Sequence, residues 1–215
     1  MIPHHHPAEE YLLQYASGAA TEPFALLVAG HLASCSICRA VVAEAEAIGG
    51  ALLADLVPEP ASVPYLDSDV AQILERAERQ PDTTRDVSVS TAASPLGAYV
   101  GDLGSVAWRS LGPGIQHCVV ARDKYGAIAR LLRIAPGRGV FKHSHAGNEM
   151  TLVLEGSYRA GGMQFSRGDV ECADEDTLHR PVAGSEATCI CLVVTDAPLR
   201  FRNLLGRVMQ PFIRI

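Results

Sequence analysis

Apolar positions in the first third of the chain recur at helical spacing, whereas beyond residue 95 they fall into short runs broken by glycine. Across Ala8–Ser17, Leu12, Tyr15 and Ala16 share one face, and Gly18 is placed to end the helix. A second helix is predicted from Thr21, a suitable N-cap, with Pro23 in its first turn. Its stripe is Phe24, Leu27, Val28 and Leu32, and His31 lies within it. A third helix starts near Ser36 and carries Ile37, Val41, Ile48 and Leu52, with Gly49-Gly50 expected to weaken or interrupt it. The proline-rich stretch 57–64 separates a fourth, Asp67–Gln80, whose narrow stripe of Val70, Ile73, Leu74 and Ala77 is stopped by Pro81.

Residues 81–95 are polar and turn-rich and read as a linker. The runs Ala127–Ile134, Met150–Leu154, Ser157–Phe165, Ala187–Val194 and Leu199–Arg202 then predict short strands of a sandwich or barrel. The expected organisation is a helical module at 1–85, a linker at 86–95 and an all-β module at 96–215. No apolar run is long enough to span a bilayer, and no secretory leader is evident, so a cytoplasmic protein is expected. Charge sharpens the division. The net charge is −6 overall, but residues 1–85 hold twelve acids and four bases, against twelve acids and fourteen bases in the remainder. An acidic helical half disfavours direct nucleic-acid binding and suits either solvent or a basic protein surface.

Six cysteines without a secretory context point to metal or redox chemistry where they are closely spaced, and otherwise to packing. His31, Cys35 and Cys38 form H-x3-C-x2-C. His31 and Cys35 share a helix face, and the Cys35–Cys38 spacing lets two thiolates meet one ion across a turn. A closed zinc site needs a fourth ligand, which the His4-His5-His6 run supplies, with His6 best placed. Structural zinc contributes about 10–16 kcal/mol of apparent binding free energy, a large stabilisation for so small a core. This region resembles the zinc-binding anti-sigma domain of bacterial transcription regulators, in which a His or Cys precedes an H-x3-C-x2-C motif. The resemblance implies Zn2+ held by His6, His31, Cys35 and Cys38. It also implies a three-helix body and separate fourth helix that wrap a group IV sigma factor and block its contacts with core RNA polymerase.

The segment Gly139 to Gly156 contains His143-Ser-His145 followed by Glu149. On a strand, residues two apart face the same way, so both imidazoles reach one ion, and Ala146-Gly147-Asn148 turns Glu149 back towards it. His179 is the candidate fourth ligand from a facing strand. Such a set suits zinc, iron, manganese, nickel or copper. The pattern H-x-H-x3-E-x6-G resembles the first motif of the cupin barrel family. Gly168 and His179 fit the second, with Asp174, Asp176 and Ala183 where Pro, Gly and Asn are expected. Cys189 and Cys191, two apart on a predicted strand, read as core, as do Cys118 and Cys172.

The order of the two resemblances is similar to that of ChrR-type anti-sigma factors, a zinc anti-sigma domain followed by a cupin. This implies a multidomain α plus all-β protein, a non-enzymatic regulator whose cupin, with a divalent transition metal (zinc favoured), is needed for response to oxidants such as singlet oxygen. The competing reading is a metal-dependent cupin oxygenase or isomerase whose helical zinc module serves assembly. It explains the β half but leaves the acidic helices without a role.

Overall fold

The computed structural model describes residues 2–57, 66–79 and 95–201. The proline-rich stretch, nearly all of the expected linker and the chain beyond Phe201 lie outside these residues. The helical half comprises α1 (Glu9–Ala16), α2 (Glu22–Leu32), α3 (Ser36–Ala54) and α4 (Leu66–Arg79). A short helix, α5 (Gly97–Val100), and a 3-10 turn at Leu103–Ser105 lead into the strands. These are β1 (Arg109–Gly112), β2 (Ile115–Arg122), β3 (Ile128–Ile134), β4 (His143–His145), β5 (Glu149–Glu155) and β6 (Ser157–Ala160). They continue with β7 (Met163–Ser166), β8 (Val170–Ala173), β9 (Val182–Ala183), β10 (Cys189–Thr195) and β11 (Leu199–Phe201).

A six-stranded antiparallel sheet in the order β1-β2-β3-β10-β5-β8 forms the main layer. A two-stranded sheet, β11-β4, and a three-stranded one, β7-β6-β9, complete the β half. A barrel was expected, but among the described residues it is not closed. Isolated bridges at Gly139–Val182 and His143–His179 stand where a continuous ladder would join the sheets. The single run 157–165 is a hairpin instead of one strand, turned at Gly161-Gly162, where both glycines have positive φ.

The period of two along the central strands organises the molecule. Ile190, Leu192 and Val194 on β10, Met150 and Leu152 on β5, and Ala129 and Leu131 on β3 share one core with the helices. The alternate residues, including Cys189, Cys191 and Val193 on β10, Val153 on β5 and Ile134 on β3, form a second core with Tyr158 and Phe165. Every residue of β10 is buried, because the strand is covered on both faces. That is why it reads as an unbroken apolar run.

Helix α2 explains the other half of the packing. Phe24, Leu26, Leu27, Val28, His31 and Leu32 are all buried, which leaves this helix apolar nearly all round. One side meets α1 and α3, and the other lies on the outer face of the main sheet. Tyr11 of α1 stacks on Phe24 at 5.5 Å between ring centroids. Each fully buried Leu or Val here contributes about 1.5–3 kcal/mol relative to exposure.

Helix α3 departs from expectation twice. It runs through Gly49-Gly50 to Ala54 without a break, and of its expected apolar stripe only Val41 packs against the core. Only Cys38 and Val42 are buried. Ile37, Ile48, Leu52 and Leu53 remain 56%, 58%, 65% and 70% exposed. The thiol expectations also divide. Cys189 and Cys191 are buried, whereas Cys118 is half-buried and Cys172 exposed. Cys172 points out of β8, a strand at the edge of the main sheet, where one face is only partly covered.

Gly30 lets α2 approach the sheet. A Cβ there would lie 2.8 Å from Cδ2 of Leu152. Gly30→Val is therefore expected to cost about 1–3 kcal/mol through overpacking. Urea unfolding measures it, and a stability equal to the parent protein would show that this contact yields.

Two candidate metal centres

Each of the two chemistry-bearing clusters is built by a local structural necessity. In the helical half, His31 sits in the last turn of α2 and Cys35 is the N-cap of α3, so a short turn brings the two helix ends together. Cys35 has extended backbone, and its sulfur accepts from the Cys38 amide at 3.4 Å. This is the sulfur analogue of an ordinary helix cap. His6 arrives from the extended segment before α1. Its Nδ1 lies 3.4 Å from His31 Nε2, from Cys35 Sγ and from Cys38 Sγ, and His31 Nε2 is 3.3 Å from Cys38 Sγ. A tetrahedron with metal–nitrogen bonds of about 2.0 Å and metal–sulfur bonds of about 2.3 Å has edges of roughly 3.3–3.8 Å. The donors are thus spaced as ligands of one small cation.

Of the three adjacent histidines, His6 alone joins the cluster. His5 turns its ring towards Phe165, 4.6 Å between centroids. Burial lowers the pKa of His31, partly opposed by its bond to the Gly168 carbonyl, which favours the neutral imidazole that a ligand must be. Burial and the neighbouring Cys35 sulfur push the Cys38 thiol up to about 12, so its thiolate is costly until a cation faces it.

The second cluster lies on the inner face of the β half. His143 and His145 occupy the same face of β4, Glu149 begins β5, and His179 is bridged to His143 across the gap between sheets. His179 Nε2 lies 3.1 Å from His143 Nε2 and 3.2 Å from His145 Nε2, and 3.7 Å from Glu149 Oε1. All four side chains are buried. The far nitrogens show how two of the rings are aimed. His143 Nδ1 donates to the Phe141 carbonyl at 2.7 Å, and His179 Nδ1 donates to Glu171 Oε1 at 2.9 Å. Each bond turns the opposite ring nitrogen, Nε2, towards the cluster, the usual arrangement of metal-ligating histidines.

The electrostatics differ among the four residues. Burial lowers His143 and His145 to about 4, so both are neutral. Burial also raises Glu149 to about 7, with His179 opposing. For His179, burial acts downward, but the bond to Glu171 outweighs it and the pKa is raised.

Beside the cluster is a cavity of about 100 Å³, walled by Leu132, Ile134, Val140 and Val193, with Arg130, His143 and Glu149 at its polar side. Asp174, Glu175 and Asp176 do not border it. They are exposed, and Asp174 Oδ1 accepts from the Thr177 hydroxyl and the Asp176 amide in a tight turn. That carboxylate turn stands where the cupin pattern has Pro and Gly. Buried Cys189 and Cys191 have their sulfurs 3.4 Å apart, and Cys191 reaches the cavity wall.

Three contributors escape a motif-based reading. Glu171 aims His179, and Tyr158 donates to Glu171 Oε2 at 2.6 Å. Arg130 is buried with Nη1 3.5 Å from Thr195 Oγ1. The signal for Glu171 and Arg130 is a charged residue inside an otherwise apolar strand run, which is costly unless paired or functional.

The structure therefore joins a helical module bearing a His2Cys2 cluster to a cupin-like domain bearing a His3Glu cluster, both compatible with a metal site. Residues 97–198 match the ChrR cupin-like domain. Over 212 residues, 98% of each chain, the protein is 42% identical to the anti-sigma-E factor ChrR of Cereibacter sphaeroides. It is also similar to a chain in the crystal structure of Rhodobacter sphaeroides SigE in complex with the anti-sigma ChrR. There the TM-score is 0.77 and the identity 40%, covering 91% of this chain and all of that one. The chain belongs to the ChrR family of anti-sigma factors.

Glu171→Gln removes the charge that aims His179 while keeping its shape. Metal affinity at the β cluster is expected to fall about 10–100-fold, measured by competition with a chromogenic chelator. An unchanged affinity would show that His179 is held without it.

Proposed function

We propose that this protein binds and inhibits a group IV sigma factor through its helical half. In this reading, Zn2+ on His6, His31, Cys35 and Cys38 fixes the helices. A divalent transition metal on His143, His145, Glu149 and His179 makes the complex responsive to an oxidant such as singlet oxygen. The observation that carries the proposal is the apolar surface left uncovered on α3 and α4. Ile48, Leu52, Leu53 and Leu56 on and just after α3, and Val70, Ile73 and Leu74 on α4, are exposed. Scattered apolar residues on a surface are ordinary, but rows at helical spacing are the form in which an amphipathic helix engages a groove of another protein. Glu44, Glu46 and Asp55 lie exposed on or just beyond the same helix, matching a partner with a basic rim.

Residues 1–85 are assigned to sigma binding and residues 96–215 to the cupin domain, joined by 86–95. Family membership favours a regulator over an oxygenase, because ChrR is itself an anti-sigma factor. The cavity then offers a small oxidant access to His143 and Glu149. No described helix is long and apolar enough to cross a membrane. This reading implies a cytoplasmic protein that makes no direct contact with DNA.

Co-expression with a group IV sigma factor of the same genome tests the reading. The full-length chain should co-purify stoichiometrically and block transcription in vitro. Leu52→Asp with Leu53→Asp should weaken the complex by about 100-fold or more while leaving the thermal midpoint unchanged, because both side chains already face water. A complex of undiminished affinity in that variant would refute the assigned surface.

The β cluster is tested separately. His143→Ala should leave sigma binding intact and abolish release of the sigma factor under singlet oxygen. Release at the parental rate would contradict the assigned role.

A further inference from the structure

The His2Cys2 cluster is completed from across the molecule. His31 Nδ1 donates to the carbonyl of Gly168, in the turn between β7 and β8, at 2.8 Å. The same turn grips the segment that delivers His6. Asp169 Oδ1 accepts from the amides of His4 at 2.6 Å and His5 at 3.1 Å, while Oδ2 accepts from the Ser166 amide at 2.8 Å. The Val170 amide then donates to the His5 carbonyl at 3.0 Å. Asp169 is 2% exposed, so the carboxylate that accepts these charge-assisted bonds is shielded from water, although His4 itself lies at the surface. Gly168 has φ +91°, and a Cβ there would lie 3.0 Å from Pro3 Cγ and 3.2 Å from Ser34 Oγ. Only glycine suits the conformation and the close approach of both segments.

Asp169 ends the turn that enters β8, and two residues further on that strand carries Glu171, which holds His179 of the other cluster. A strand is stiff over two residues, and β8 is fixed to β5 from Val170 to Ala173. Displacement of Glu171 therefore displaces Asp169.

We propose that Gly168 and Asp169 are positioning residues of the N-terminal metal site, and that β8 couples that site to the cupin cluster through Glu171. The proposal rests on reading both clusters as metal sites. It deepens the functional account by naming how a change at the cupin ion reaches the N-terminal metal site. Loading the cupin cluster orders His179 and Glu171, which holds the Asp169 carboxylate against the His4 and His5 amides and keeps His6 in place. By linkage, each site then raises the affinity of the other.

Cobalt titration of the purified, metal-free full-length protein tests it, because a thiolate-to-cobalt charge-transfer band reports only the cluster that contains Cys35 and Cys38. Asp169→Ala should shift the midpoint of that band to about 10–100-fold higher cobalt, the usual effect of removing a group that orients metal ligands. Asp169→Asn, which keeps the shape and loses the charge, should fall between. Circular dichroism and thermal melting establish that each variant is folded, and Asp169→Asn carries the test if the alanine variant is not.

Coupling is read from a double-mutant cycle. His145→Ala, which disables the cupin cluster, should weaken cobalt binding at the thiolate site in the parent background but have no further effect in the Asp169 variants. A parental midpoint in the Asp169 variants would overturn the positioning role. An equal His145→Ala penalty in both backgrounds, or none in the parent, would overturn the coupling. A parent protein without the band would instead overturn the metal reading of the N-terminal cluster. No sigma factor enters the assay, so the outcome is independent of sigma binding.

Discussion

The arrangement depends on the main sheet being covered on both faces. Alternate residues of β3, β5 and β10 serve different masters, the outer set packing α2 and the inner set lining the β cluster and its cavity. A slip of one residue in the register of β5 would send Glu149 to the helical side and Met150 to the metal side. The pairing of β10 with both β3 and β5 guards against it, since Leu192 is fixed opposite Leu131 on one side and Leu152 on the other. The sheet is thus both the floor of the helical core and the roof of the inner site.

That geometry makes the two halves of the chain less separate than their compositions imply. The helical half has too little apolar surface of its own to bury α2, and the sheet supplies the missing side. What the helices do not bury is equally informative. With Val42 and Cys38 turned inward and Val41 packed beside them, Ile48, Leu52 and Leu53 of α3 stay exposed, a row available to another protein. The acidic balance of residues 1–85 gives such a partner a complementary sign.

Much of this was legible in the chain itself. The stripe of α2, the H-x3-C-x2-C spacing and the H-x-H-x3-E pattern each reflect a local periodicity, so they identify their elements and their clustered residues without tertiary knowledge. The exposure of Ile48 and Leu52 was not legible, because helical spacing specifies a face but not what covers it. Strands β1, β2 and β8 also escaped notice. They are short or carry polar residues such as Gln116, His117 and Glu171, which blur the alternation. Glu171, Tyr158 and Asp169 act through contacts distant in sequence, and no motif records them. The glycine pair at 49–50 misled for the opposite reason: a helix propensity cost of about 1 kcal/mol per glycine does not break a nineteen-residue helix.

In the proposed mechanism the exposed helical faces bind the sigma factor while the sheet between the two clusters holds the molecule together. Amide hydrogen exchange on the full-length protein, free and in complex with a group IV sigma factor, addresses it most directly. The account predicts slowed exchange along α3 from Ile48 onward and along α4, with β5 and β10 equally protected in both states. Protection confined to the cupin-like domain, with α3 and α4 unchanged, would contradict it.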